Sequence, residues 1–225
     1  MGYKLDGKNI EFPTKHMNIV GKGVNGNVYN YRGMALKLFI DDKNPAIDVE
    51  TAEYLKNIDT ERVLLPQNLL FYNNTFKGYT YKLVNKRGSG KRMIMLSKDE
   101  FIQNIEVLEN DVELLSKEHV LLNGMDIDNV LFNGKLYVID PTKYSILEED
   151  ELRFSGLEDI NKFQLHLLLV NLITSELKKN NFSSNLVKKV ENILLKSKDS
   201  YEDSSDFFDD IIGNNNTIKE FVKKL

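Results

Sequence analysis

The feature that most constrains this chain is the run Gly21-Lys22-Gly23-Val24-Asn25-Gly26-Asn27-Val28-Tyr29, which has the form GxGxxGxV. Alone that glycine spacing is weak evidence, marking a turn that opens a helix, a hairpin between two strands, or nothing. The flanks decide between them. Ile19-Val20 precede the glycines, and Asn27 to Tyr31 and Met34 to Ile40 follow as short apolar or β-branched runs separated by Gly and Asn. The expected structure is therefore a glycine-rich hairpin leading into further strands. Glycines in such a hairpin let the backbone approach a phosphate with no Cβ in the way.

In Met34-Ala35-Leu36-Lys37-Leu38-Phe39, Lys37 is the one charge inside an apolar run. On a strand it points away from the face that Leu36 and Leu38 share. Taken alone, this pattern suits an edge-strand lysine facing water. On the strand after a glycine-rich hairpin, eleven residues beyond Gly26, it suits a cation for the α- and β-phosphates of a nucleotide. A buried lysine needs a carboxylate beside it. A helix is expected over Ile47 to Ile58, with Val49, Ala52, Leu55 and Ile58 at apolar spacing. It offers Glu50 as the expected partner, with Glu53 on a more exposed face. The alternative is that both are solvated, the commoner fate of glutamate on a helix.

A second segment, Asn123 to Asp140, carries its own geometry. Asn133-Gly134 is the preferred pair for a two-residue turn, so Val130 to Phe132 and Lys135 to Ile139 are expected to fold back antiparallel. Asn129, just before the first strand, then lies beside Asp140, just after the second. An amide and a carboxylate at one end of a hairpin make an oxygen site suited to magnesium. The other reading is a plain hairpin with a polar mouth. Asp126 and Asp128 form a DxD pair that begins like a calcium loop, but Leu131 stands where that loop requires glycine. His16, His119 and His166 are scattered without metal-ligand spacing, and His166 reads as a hydrogen-bonded core histidine.

The remaining pattern divides the chain into three. Residues 1–84 read as a β-rich lobe containing the glycine-rich lid, with a hairpin of Leu69 to Tyr72 and Tyr79 to Val84 around Asn73-Asn74. Residues 85–92 (NKRGSGKR) hold two glycines and four basic residues and read as an inter-lobe hinge. The run Arg87-Gly88-Ser89-Gly90-Lys91 resembles a phosphate loop only superficially, lacking the glycine spacing and the Ser/Thr after the lysine. Residues 93–225 read as a mainly helical lobe. Its helices are expected over Lys98 to Lys117 (apolar at Phe101, Ile105, Leu108, Val112 and Leu115), a buried run from Asp159 to Leu177, Asn185 to Lys196 and Thr217 to Leu225. The acidic stretch Lys198 to Asp210 reads as a loop or a short helix.

Composition narrows the function classes. At 225 residues and 41% hydrophobic, the chain can bury a core in one large domain or two small lobes. A net charge of −4 runs against nucleic acid as the main partner, although it leaves room for a local basic patch. The absence of cysteine excludes disulfides, thiolate zinc sites and thiol nucleophiles. Met1 to Lys15 is polar, Asp6 stands where a myristoylation motif needs Ser or Thr, and the apolar stretch Leu165 to Ile173 is too short to span a bilayer. A cytoplasmic location without membrane contact is expected.

These segments, in this order from Ile19 to Ile173, resemble the protein-kinase superfamily and its aminoglycoside-kinase-like relatives. The resemblance implies an α+β bilobal fold, a small antiparallel sheet lobe with one helix and a larger helical lobe, binding ATP and magnesium in the cleft. It implies that Gly21, Gly23, Gly26, Val28, Lys37, Glu50 and Val84 surround the nucleotide and that Asn129 and Asp140 hold the metal, Asp140 in a DPT rather than a DFG. It also makes Asp159 the structural aspartate that opens the central helix. One departure bears on catalysis: the position five residues before Asn129, where the family has its catalytic aspartate, is Gly124. Asp126, two residues further on, is the candidate substitute base; it is equally open to being a helper metal ligand or a solvated loop carboxylate. Only Pro141 to Glu158 separate Asp140 from the central helix, with no APE signature. Two readings follow. One is an atypical kinase-like phosphotransferase, with Lys37 and Asp126 catalytic and a protein or small-molecule hydroxyl as acceptor. The other is a pseudokinase that binds nucleotide as a regulatory or scaffold module without turnover. A variant chemistry on the same fold, with the nucleotide flipped so that a nucleotidyl group is transferred, is not demanded by any residue.

Overall fold

The computed structural model describes residues 2–11, 18–41, 45–85, 92–148, 156–196 and 203–225. Most of the expected hinge (86–91), with its phosphate-loop-like run, His16 and the start of the acidic stretch lie outside the described residues. The chain divides into two compact units. The first comprises Met1–Thr60, Leu64–Val84 and Asp140–Lys143; the second comprises Glu61–Val63, Asn85–Ile139 and Tyr144–Leu225.

The first unit is a seven-stranded antiparallel sheet. Its strands are β1 (Tyr3–Leu5), β2 (Lys8–Ile10), β3 (Ile19–Lys22), β4 (Gly26–Tyr31), β5 (Met34–Phe39), β6 (Asn68–Tyr72) and β7 (Thr75–Lys82), in the spatial order β2-β1-β6-β7-β5-β4-β3. Side-chain alternation gives each strand two different faces. On one, Tyr31, Leu36 and Leu70 are buried, with Tyr3, Leu5, Ile10, Met34 and Leu38 packed on them. The turn at Asn73-Asn74 forms as expected, with φ of +49° and +66° and Tyr72 paired to Thr75. β1 and β2 were not anticipated, although Asp6-Gly7 is a two-residue turn pair. Both residues take positive φ, and Asp6 seals the hairpin to β6 by exchanging hydrogen bonds with Leu69 at 2.9 and 3.0 Å.

Among the described residues, the α-helix of this unit, α1 (Val49–Leu55), is shorter than the expected Ile47–Ile58. Asp48 ends it at the N-terminal side, because its carboxylate accepts the Thr51 amide at 2.7 Å and so takes the N-cap position.

The second unit is mainly helical: α2 (Lys98–Lys117), α3 (Leu157–Lys179), α4 (Ser184–Lys196), α5 (Ser204–Ile212) and α6 (Ile218–Lys224). A reciprocal capping box between Ser97 and Glu100 opens α2. Its expected apolar stripe, Phe101, Ile105, Leu108, Val112 and Leu115, is fully buried, against α3 and α5. The acidic stretch resolves into α5, whose Phe207, Phe208 and Ile212 are buried. Its first turn is tied to α2 by Glu109, which accepts the Ser204 amide and the Ser205 amide (3.0 Å), supplying partners to donors that a helix start leaves open. Among the described residues the unit also holds two small ladders, β9 (Val130–Phe132) with β10 (Leu136–Val138), and β8 (Val120–Leu121) with β11 (Ser145–Ile146).

An antiparallel sheet followed by helices is the expected α+β organisation. Among the described residues, no helix is long and apolar enough to cross a membrane.

Candidate functional site

The glycine-rich hairpin forms between β3 and β4, closed by the Gly23 amide donating to the Gly26 carbonyl at 2.9 Å. The strand register puts Gly21, Val28, Lys37, Tyr79 and Leu69 in one row across β3, β4, β5, β7 and β6. Directly opposed residues share a face, so Lys37 lies beside Val28 on the face opposite the Leu36 cluster. Of the three lid glycines only Gly26 is required by its surroundings. A Cβ there would stand 2.4 Å from the Leu38 carbonyl oxygen, whereas at Gly21 and Gly23 the nearest atoms would be at 3.6 and 3.5 Å. Val84, just beyond the end of β7, is buried.

Lys37 is 4% exposed, unusual for a lysine. Its Nζ donates to Oδ1 of Asp140 in a charged pair; the side chains are 6% and 22% exposed. Burial pulls the Lys37 ammonium below its ordinary value, and the Asp140 charge opposes that pull. Burial also pushes the Tyr81 phenol up, and Asp140 adds to the effect. Tyr81 pairs with Ala35, next but one to Lys37 on the same face. Sequence reasoning missed Tyr79 and Tyr81 here, although their alternation along β7 with Lys37 as strand neighbour was the signal available.

The expected Lys37–Glu50 pairing is not formed. Glu50 is exposed in the first turn of α1, and Glu53 is exposed and ion-paired with Lys56 at 2.8 Å. The carboxylate that reaches Lys37 comes from position 140.

The segment that carries Asn129 and leads to Asp140 lies in the helical unit up to Ile139. Its hairpin differs from expectation in the turn. Phe132 pairs with Leu136, so the loop is Asn133 to Lys135. Gly134 alone takes positive φ, +97°, whereas the expected two-residue turn needs it at both positions. Asn104 of α2 fixes this loop, accepting the Leu136 amide at 2.8 Å. The Ile139 amide donates to the Asn129 carbonyl at 2.8 Å, so the residue before Asp140 is held beside Asn129. Asp140 itself has φ +68°.

Gly124 takes φ +72°, in the region that side chains other than glycine avoid. Asp126 is exposed, and its carboxylate accepts the Ile127 amide at 3.0 Å as the cap of the 3-10 turn Ile127–Asn129. Asp159 is exposed at the start of α3 rather than structural. That work falls to Asn161, two residues on and fully buried. Its amide accepts the Leu122 N–H (2.8 Å) and donates to the Val120 carbonyl (2.8 Å) and Ser116 Oγ (2.9 Å). An amide can both accept and donate, which an ionised carboxylate cannot. His166 is the core histidine expected, with Nε2 3.0 Å from the Leu194 carbonyl and Nδ1 3.2 Å from Ser204 Oγ.

No family model and no curated protein matches the chain. Among solved structures it is similar to the crystal structure of Rad53 1–466 in complex with AMP-PNP. The TM-score is 0.53 and the identity 13%, over 98% of this chain and 78% of that one. At this identity the likeness is one of fold: the chain has a protein-kinase-like fold.

Proposed function

We propose that this chain binds a nucleoside triphosphate with magnesium and acts as an atypical kinase-like phosphotransferase, passing the γ-phosphate to a hydroxyl of a protein or small molecule. The observation that carries the reading is the buried Lys37, on the strand after the glycine-rich hairpin, paired with Asp140. A cation and a carboxylate held together on the face that carries the lid residue Val28 are the two charges that a phosphate chain and its metal require. Gly21 and Gly23 add support: nothing in the protein around them demands glycine, and a ligand backbone-deep in the hairpin would. The Rad53 structure contains AMP-PNP, which agrees with a nucleotide as the ligand of this fold.

Magnesium fits the donors in kind. Asp140 offers a carboxylate and Asn129 an amide oxygen, both hard ligands. Among the described residues no three His, Cys, Asp or Glu come together; magnesium at a nucleotide needs one or two carboxylates, the phosphates supplying much of the rest. Bound there, the ion would neutralise charge on the phosphates. Lys37 would orient the α- and β-phosphates, and Gly21, Gly23, Gly26, Val28 and Val84 would line the nucleotide. Asp126 is the acid available to take the acceptor proton.

A second reading, a pseudokinase module that binds nucleotide without turnover, is favoured by Gly124 at the usual position of the base. Base catalysis is typically worth roughly 10²–10⁴-fold, while positioning and charge supply most phosphoryl transfer, so its loss slows transfer without abolishing it. The test is thermal unfolding with and without ATP and magnesium, for wild type, Lys37→Ala and Asp140→Asn, followed by release of γ-phosphate. Ligand at a hundred times its Kd adds roughly 2.7 kcal/mol. A stabilisation lost in both variants supports the site; turnover above background selects the phosphotransferase, and stabilisation without turnover the pseudokinase. No stabilisation by any nucleotide rejects both.

A further inference from the structure

The nucleotide reading leaves unexplained a buried carboxylate on α2. Asp111 is 5% exposed and has no partner role in the chemistry above. Its two oxygens accept three consecutive backbone amides, Glu61 at 2.9 Å, Arg62 at 2.6 Å and Val63 at 2.8 Å. These three residues are the stretch of the N-terminal region that belongs to the helical unit.

What this stretch touches gives the carboxylate its consequence. The Arg62 carbonyl accepts the Val138 amide at 2.9 Å, and Val63 forms a parallel bridge with Val138. Arg62 is 6% exposed, and its guanidinium lies 5.1 Å from the centre of the Tyr137 ring, within the range of a cation–π contact. Residues 61–63 therefore dock on β10 through one backbone hydrogen bond and one parallel bridge. β10 ends at Val138, and Ile139, bonded to Asn129, is followed directly by Asp140.

We propose that Asp111 is a positioning residue for Asp140, acting through residues 61–63 and β10 to fix the point from which Asp140 leaves the hairpin. A single bridge to a short hairpin has little holding power of its own. Three charge-assisted bonds to the buried Asp111 carboxylate supply it. The chain is Asp111, the amides of 61–63, Val138, then the Asp140 backbone. Its relevance to function rests on the proposed nucleotide site; its structural part does not.

The experiment compares Asp111→Asn with Glu109→Gln, a change two residues away on the same helix that weakens the tie to α5 instead. Amide hydrogen exchange and AMP-PNP–magnesium affinity are measured on both. The near-isosteric Asn cannot accept from all three amides with one oxygen. In Asp111→Asn, exchange at Val138 and Ile139 is expected to rise about tenfold relative to Glu109→Gln, with the Leu122 amide, held by Asn161, unchanged. Nucleotide affinity should fall about three- to tenfold in Asp111→Asn alone. Equal changes in the two variants, or wild-type exchange at Val138 in Asp111→Asn, would overturn the proposal. If Asp111→Asn does not fold, wild-type exchange decides: the amides of Glu61, Arg62, Val63 and Val138 should open as one unit, and independent opening rejects the link. If wild type binds no nucleotide, the exchange results still judge the positioning, and the proposed function alone falls.

Discussion

Lys37 and Asp140, 103 residues apart in the chain, form a charged pair in which the lysine side chain is 6% and the aspartate 22% exposed. The asymmetry of burial sets how the two residues respond to substitution, and hence how the pair can be tested without a ligand.

Removing Asp140 strands an ammonium in a poorly solvated place, whereas removing Lys37 leaves a carboxylate that water reaches. Asp140→Asn should cost about 1–3 kcal/mol, below the roughly 3–5 of a fully enclosed pair. Lys37→Met should cost less, and the double variant should be less destabilised than the sum. Urea unfolding of the four proteins measures this; additive losses would mean the pair contributes no coupling.

The pair also predicts an alkaline signature. Burial holds the Lys37 ammonium below its ordinary 10.5, so the folded state releases its proton before the unfolded state does. In the window below 10.5 the unfolded chain binds more protons, and stability rises with pH there. Lys37→Met should remove that rise. The difference between wild type and variant, followed by urea unfolding as pH increases towards 10.5, isolates it; a difference independent of pH would contradict the burial argument.

Asn161 and Asp159 should separate cleanly. Asn161→Ala orphans the buried Leu122 amide and Val120 carbonyl and should cost about 2–4 kcal/mol. Asp159→Ala, at an exposed position, should stay within about 0.5 kcal/mol. Denaturation midpoints check both, and the reverse ranking would restore the aspartate as the structural residue.

The lid glycines should divide by cause. Gly26→Ala drives a Cβ against the Leu38 carbonyl and should destabilise by about 1–3 kcal/mol. Gly21→Ala and Gly23→Ala should leave stability within about 0.5 kcal/mol while weakening nucleotide binding several-fold. Calorimetric binding alongside unfolding distinguishes the effects; unchanged affinity at both positions would count against a phosphate at the hairpin.

Much of this molecule follows from local pattern. The alternation of β4 and β5, the 3.6-residue stripe from Phe101 to Leu115 and the turn at Asn73-Asn74 are short-range properties, because each depends on neighbours within one turn or one strand. The placement of Lys37 on an apolar strand after the glycine hairpin belongs to the same class, and so, unnoticed, did the Asp6-Gly7 turn. Partnership over distance does not. Glu50 and Glu53 stood at plausible helix positions, yet the acid beside Lys37 is Asp140. Asp159 stood at the expected helix start, yet Asn161 holds the loop. The carboxylate of Asp111 gave no sign of its three amides. An acidic or amide side chain looks alike in sequence whether it meets water or a buried donor. Which it meets is decided only when burial removes the water, and tertiary packing alone determines that.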